Sequence, residues 1–452
     1  MATTAYLYLI CPVFADNLDE RQCRPNIVLI LADDFGYELL GCNGGTSYRT
    51  PQLDRLAAEG ARFEHCYVQP LCTPTRVQLM TGQYNVRNYL EFGTLLKDQT
   101  TFGHLFRDAG YATCITGKWQ LGRDLGLPKH FGFDEYCLWQ LSRRPERYKN
   151  PGLEINGKEV DYSAGEYGPD IVNDYAIDFV RRSKDRPFFL YYPMMLTHSP
   201  YVPTPDSDDY KESQAVVDQK PRGAKKAAGK KAADSHRHFT DMVEYTDKLI
   251  GKLVATLDEL KLRENTVVVF VGDNGTGKGT RSMMGDRVVI GGKGTTDESG
   301  MRVPLIVNCP GLVKSGQVRR DLVDSTDFLP TICAAAGMEL SKSATIDGRS
   351  FWPACRGDEA EARRWIYCWY SQTGGAKAKF EFARTHDFKL YADGRLFDVR
   401  DGDFDRKPLD AAKLDEGGAR ARDELQQVLD GFRDVRPARL HKPGRAAGEA
   451  GE

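Results

Sequence analysis

The sequence predicts an α/β protein: a large, mostly parallel sheet sandwiched by helices, with a small C-terminal antiparallel sheet plus helix. Two observations carry this. From Pro25 onward, short apolar runs alternate with amphipathic stretches, as buried strands alternate with the helices that cover them. After "IDGRSFWPACRGDE" the texture changes to short aromatic and alternating runs parted by turn residues, which suits hairpin-linked strands. A chain of 452 residues can bury a core of that size.

The elements follow in order. Residues 1–15 contain "AYLYLICPVFA", an apolar run with small residues at Val13 and Ala15, which reads as a signal peptide lacking its basic leader and implies a periplasmic or secreted protein. No later run is long enough to span a membrane. "NIVLILA" (Asn26 to Ala32), "YATCIT" (Tyr111 to Thr116), "PFFLYYPMML" (Pro187 to Leu196), "TVVVFVG" (Thr266 to Gly272) and "VPLIVN" (Val303 to Asn308) read as strands. "TPQLDRLAAEG", "FTDMVEYTDKLIGKLVATLDEL" and "STDFLPTICAAAG" read as helices, the second with apolar residues at helical spacing and the third closed by Gly337. A basic low-complexity insert, 220–233, interrupts the α/β domain expected over 24–355 and reads as a solvated loop. The C-terminal subdomain is expected over 356–440, from "RWIYCWYS", "FEFART", "FKLYAD", "RLFDVRDG" and a helix near Leu425 to Phe432. The tail, 441–452, is expected to be disordered.

Composition excludes several classes. Apolar residues make up 41% and charged residues 28%, so most of the chain is globular. A net charge of -2 gives no sign of a nucleic-acid partner. The 11 cysteines are scattered without any C-x-x-C pair, which argues against a zinc ribbon, a thioredoxin-like motif or a disulfide framework.

One cysteine stands in a telling place. In "PLCTPTR" (Pro70 to Arg76), Thr73 suits an N-cap and Pro74 the first helical position, so Cys72 is expected at a helix N-terminus. An anion there meets free N–H groups and the positive end of the helix dipole. With Arg76 a turn further on, the site suits a nucleophile attacking something negatively charged.

The polar residues that end the strands converge on one edge if the sheet is parallel. "NIVLILA" runs into Asp33 and Asp34, "TVVVFVG" into Asp273 and Asn274, "YATCIT" into Lys118, and "PFFLYYPMML" into His198. Three carboxylates and an amide oxygen form an oxygen-only site for calcium or magnesium, and a cation held there would polarise a tetrahedral oxyanion. "GDNGTGKGT" (Gly272 to Thr280) nearly reads as the phosphate loop of a nucleotide hydrolase, but Gly279 stands where Ser or Thr should bind magnesium.

"PNIVLILADD", "CTPTRVQLMTG", "GKWQLG", "HFGFDEY", "THSP", "GDNG" and "KGTTDESGMRVP", in that order, resemble a type I, formylglycine-dependent, arylsulfatase-like sulfatase of the alkaline phosphatase superfamily. "FARTHDFKLYADGRLFDV" resembles the family's C-terminal sheet. The resemblance implies that a formylglycine-generating enzyme oxidises Cys72, and that one hydroxyl of the hydrated aldehyde attacks sulfur to give a covalent sulfo-enzyme. It further implies Arg76 at the diol and Lys118 and Lys293 on the sulfate oxygens, with His198, alone or with Lys293, protonating the leaving oxygen. Asp33, Asp34, Cys72, Asp273 and Asn274 would bind the cation, usually calcium in this family.

Two positions depart from the family pattern. Thr75 replaces a Ser or Ala and is small enough to matter little. Gln120 stands where the family keeps a histidine; a glutamine amide hydrogen-bonds but cannot act as a base near neutral pH. The implied substrate is a sulfate monoester of a small molecule or glycan, a sulfated carbohydrate being the preferred class. A phosphodiesterase or phosphonate monoester hydrolase on the same scaffold, or a weakly active sulfate-ester-binding homologue, stays open beside it.

Overall fold

The computed structural model describes residues 24–212, 230–359, 361–400 and 407–441, without the side chains of 230–234. The apolar run at 1–15, most of the basic insert and the tail after His441 lie outside the described residues.

Sixteen strands are present among these residues. In chain order they are β1 (Asn26–Ala32), β2 (Ala61–Tyr67), β3 (Ala112–Lys118), β4 (Glu135–Trp139), β5 (Gly152–Ile155), β6 (Lys158–Asp161), β7 (Phe188–Pro193) and β8 (Thr266–Gly272). There follow β9 (Arg281–Met284), β10 (Arg287–Ile290), β11 (Arg302–Asn308), β12 (Gln317–Asp324), β13 (Ile366–Tyr370), β14 (Phe380–Arg384), β15 (Phe388–Tyr391) and β16 (Leu396–Asp398). Ten of them form one sheet in the order β12-β2-β11-β8-β1-β7-β3-β4-β5-β6. Its central strands β8, β1, β7, β3 and β4 are mutually parallel. Antiparallel pairing enters at β11, which runs against both β8 and β2, and at β5 and β6. The expected large α/β sheet is therefore present, with a parallel centre and mixed flanks.

The pleat of β1 explains why both faces need covering. Ile27, Leu29 and Leu31 point into one apolar layer with Phe189 and Tyr191, while Val28, Ile30 and Ala32 point into the other. The second layer is closed by Phe239, Leu249 and Leu253 of helix Lys230–Glu259 and by Val172 and Ala176 of helix Gly168–Arg182. β1 and β8 are fully buried along their length, which is why they read as unbroken apolar runs.

The parallel centre positions the site. Ala32 pairs with Gly272, so Asp33 and Asp273 are the first residues beyond the ends of neighbouring strands. Asp33 N–H donates to Leu196 O at 2.8 Å and Thr197 N–H to Asp33 O at 2.6 Å, which extends the β1–β7 edge up to His198. In β3, Gly117 has φ 121°, and a Cβ there would stand 1.9 Å from Pro193 O. Only glycine lets β3 lie this close to β7 just before Lys118.

The expected small antiparallel C-terminal sheet is present, its strands in the order β13-β14-β15-β16. Helix Glu416–Phe432 is longer than the segment expected; Asp415 Oδ1 accepts from Gly418 N–H at 2.7 Å and caps its start.

Candidate active site

Helix Cys72–Thr81 begins at Cys72, preceded by Leu71 in extended conformation, which corrects the expected cap at Thr73 and first turn at Pro74. The threonine hydroxyls are engaged elsewhere. Thr73 Oγ1 accepts from Gly93 N–H at 3.2 Å, and Thr75 Oγ1 accepts from Gln69 N–H at 3.0 Å while donating to Leu71 O at 3.1 Å. Cys72 thus sits on the first turn, buried, where helix N–H groups are free of intrahelical partners. Its thiol donates to Gln120 Oε1 at 2.8 Å, and burial pushes it above the usual thiol range.

The charged residues interleave. Arg76 donates to Lys118 O at 2.9 Å and to Asp273 Oδ2 at 3.0 Å. Lys118 Nζ bridges both Asp33 oxygens at 3.0 and 2.8 Å, and Lys293 Nζ reaches Asp34 Oδ1 at 2.5 Å. Asp34 takes a left-handed backbone, φ 60°, which its N–H holds by donating to Asp273 Oδ1 at 3.0 Å. His198 Nε2 lies 3.9 Å from Asp34 Oδ2. All of the residues expected at the site are brought together at the carboxyl edge of β1, β3, β7 and β8.

The donor set fits a divalent cation. The ligand atoms of Asp33, Cys72 and Asp273 lie within 4.8 Å of one another, as do those of Asp33, Asp34 and His198. Asn274 Oδ1 is buried with no hydrogen-bond donor facing it among the described residues, while its Nδ2 donates to Asp34 Oδ1 at 2.9 Å. A bare carbonyl oxygen beside three carboxylates suits a hard ion. The electrostatics agree. Burial and the neighbouring Asp33 charge push Asp273 up to about 7, against the pull of Arg76; burial works on Asp33 too, but Lys118 holds it well below the usual carboxylate range. Asp34 is likewise held low despite burial, chiefly by Lys293; burial would lower Lys293 in turn, but Asp34 and its neighbours raise it. Burial lowers His198 to about 4, outweighing Asp34, and favours neutral imidazole.

One buried group here carries no motif. Arg147 lies 3.5 Å from Asp33 Oδ2 and stacks on Trp139 with its guanidinium carbon 3.9 Å from the ring centroid. An arginine inside "LSRRPERY" looks like any surface charge until Trp139 at the end of β4 buries it.

Comparison with known proteins decides the family: the sulfatase family model matches residues 25–338. The chain belongs to the sulfatase family. A second model, N-sulphoglucosamine sulphohydrolase, C-terminal, matches residues 292–433 of the sulfatase. Human arylsulfatase A is 31% identical over 411 residues, covering 81% of this chain and 74% of the relative. N-acetylgalactosamine-6-sulfatase of Canis lupus familiaris is 31% identical over 378 residues, covering 76% and 68%. N-acetylglucosamine-6-O-sulfatase of Bacteroides thetaiotaomicron is 26% identical, covering 92% and 87%. Among solved structures, Ps i-CgsB in complex with k-i-k-neocarrahexaose superposes with a TM-score of 0.75 at 26% identity, covering 94% of this chain and 95% of that one. BT4656 in complex with its substrate D-glucosamine-2-N,6-O-disulfate shares the fold, with a TM-score of 0.71 at 22% identity over 91% and 98%. The sulfatase is a sulfuric ester hydrolase of the type I class with the alkaline phosphatase-like fold. No helix among its described residues is long and apolar enough to cross a membrane.

Proposed function

We propose that this sulfatase cleaves sulfate monoesters of a carbohydrate, using Cys72 converted to formylglycine and one divalent cation, calcium or magnesium. The observation that carries the reading is the meeting of Cys72, at a helix start, with Asp33, Asp273 and the bare Asn274 Oδ1 in one buried cluster. The hydrated aldehyde would supply an oxygen nucleophile, and Asp33, Asp34, Asp273, Asn274 and the group at position 72 would hold a cation whose charge would polarise the ester. The remaining work falls to side chains. Arg76, fixed between Lys118 O and Asp273, orients the nucleophile. Lys118 and Lys293 balance the sulfate oxygens, and Lys293 with His198 would protonate the leaving oxygen from the Asp34 side.

Cys72 is 1% exposed, so a formylglycine-generating enzyme must reach it before the chain closes over it. A sulfated sugar as substrate is supported by the relatives that carry hexosamine sulfatase names. The apolar run at 1–15 supports a reading of export to the periplasm or the exterior. Mass spectrometry of the peptide carrying Cys72, from a host with a maturation system, tests the central claim; an active preparation with only the unmodified thiol would refute it. Faster turnover of phosphodiesters than of any sulfate ester would instead favour the phosphodiesterase reading.

A further inference from the structure

Two stretches of this chain repeat each other in sequence and in place. Trp119-Gln120-Leu121 follows β3, and Trp139-Gln140-Leu141 starts on the last residue of β4, its parallel neighbour, with the first and last residue of each triplet buried. Trp119 N–H donates to Trp139 O at 3.0 Å and Gln120 N–H to Gln140 O at 3.3 Å, so the ladder continues past the strands and sets Gln140 one strand outward from Gln120. Both glutamines are left-handed, φ 55° and 61°, a conformation that costs a non-glycine residue roughly 1–2 kcal/mol.

Their side chains differ in employment. Gln120 Oε1 accepts the Cys72 thiol. Gln140 Oε1 is buried yet meets no hydrogen-bond donor among the described residues. A buried, unpaired amide oxygen costs roughly 1–3 kcal/mol, and this one lies at the carboxyl edge of the sheet, where ligands of α/β folds bind.

We propose that Gln140 binds substrate by accepting a hydrogen bond from an uncharged hydroxyl of the sulfated sugar, beside the ester presented to position 72. This rests on the sulfate-ester reading of the site and adds a determinant for the alcohol half. A carboxamide carries no charge, so it adds nothing to the hold on sulfate and discriminates only by the hydroxyl it pairs with. A phenyl ester brings no such hydroxyl.

The test compares kcat/KM for a panel of monosaccharide O-sulfates with that for 4-nitrophenyl sulfate. Gln140→Gly removes the amide without strain at a left-handed backbone, and Gln140→Asn, which also tolerates that region, withdraws it by one methylene. The ratio of the best sugar sulfate to the aryl sulfate should fall about tenfold or more in Gln140→Gly, mostly through KM, with the same direction in Gln140→Asn. An unchanged ratio, whether both activities hold or fall together, overturns the proposal, as does a parent enzyme that turns over the aryl ester but no sugar. A parent enzyme inert on both esters defeats the sulfate-ester reading of the site instead. Calorimetric titration of the same sugars into Cys72→Ala protein then decides Gln140 separately: equal affinity with and without Gln140→Gly overturns it.

Discussion

A histidine at position 120 would meet the same left-handed backbone, φ 55°, and the same neighbour at position 72 that glutamine meets. Histidine is among the residues that tolerate that backbone. Gln120 can offer an amide oxygen to the nucleophile's proton but cannot carry the proton away. Gln120→His is therefore expected to raise turnover of 4-nitrophenyl sulfate by about a hundredfold, to abolish any initial burst of phenol, and to introduce a titration near neutral pH. A pH–rate profile of both proteins checks this. Flat turnover without a new pH dependence would leave Gln120 as a hydrogen-bonding group and move the proton to another acceptor. Gln120 was legible because its surrounding motif is strong; Arg147 was not, because its role depends on an ion pair with Asp33 that spans 114 residues.

Helix Pro51–Ala58 has no side-chain cap of its own, and Thr50 turns its hydroxyl to Asp54 instead. Its free N–H groups at Gln52 and Leu53 are met by Asp247, which accepts them at 3.0 and 2.8 Å from the middle of helix Lys230–Glu259. The two helices are thereby tied together on one face of the sheet. Burial pushes Asp247 from 3.8 up to about 6, outweighing the two N–H groups that favour its charge. Because the folded state holds this proton more tightly than the unfolded one, the residue's contribution is full below pH 3.8 and is lost as pH rises through about 6. Asp247→Asn keeps an acceptor for the helix and cannot ionise. The variant should match the parent near pH 4 and exceed it in thermal stability at pH 7, by on the order of 1–3 kcal/mol. Melting curves across that range decide it, and a variant no better at pH 7 than at pH 4 contradicts the cap's titration.

Across the molecule, the C-terminal region is tied to the main sheet by buried charge. Arg363 donates to Asp327 Oδ2 at 2.9 Å and to Tyr84 OH at 2.9 Å, joining the segment before β13 to the two loops after β12 and helix Cys72–Thr81. Asp327 also accepts from Asp324 N–H at 2.8 Å and Arg349 N–H at 2.7 Å, so it cannot turn to water when its partner is lost. Arg363→Leu should lower unfolding stability by about 3–5 kcal/mol, and adding Asp327→Asn should return part of it. Urea unfolding midpoints of the two variants check the coupling; purely additive losses would mean the pair does not act as a unit. The cation would join a second set of elements, the ends of β1 and β8. Chelation should abolish turnover and lower the melting temperature, with calcium restoring both, since three buried carboxylates repel around an empty site. Full activity in metal-free protein would show the oxygen cluster to have been misread.

The strands buried on both faces, and with them the site they end in, are legible in local pattern. β1 and β8 are apolar at every position but their polar first residues, and Asp33, Asp34, Asp273 and Asn274 follow them directly. Parallel strands share a carboxyl edge, so local patterns were enough to gather those residues, with Lys118 and His198, in one place. Tertiary structure alone decided what local pattern does not encode. β2 and β12 carry charges on half-exposed positions and become strands only by pairing with each other and with β11. The helix begins at Cys72, and not two residues later, and the Thr73 and Thr75 hydroxyl oxygens accept from Gly93 N–H and Gln69 N–H and do not cap it. The edges of the sheet and the contact of Arg147 with Asp33 are set by partners far along the chain. A window of neighbouring residues contains no trace of them, since their energies come from contacts that exist only once the sheet has formed.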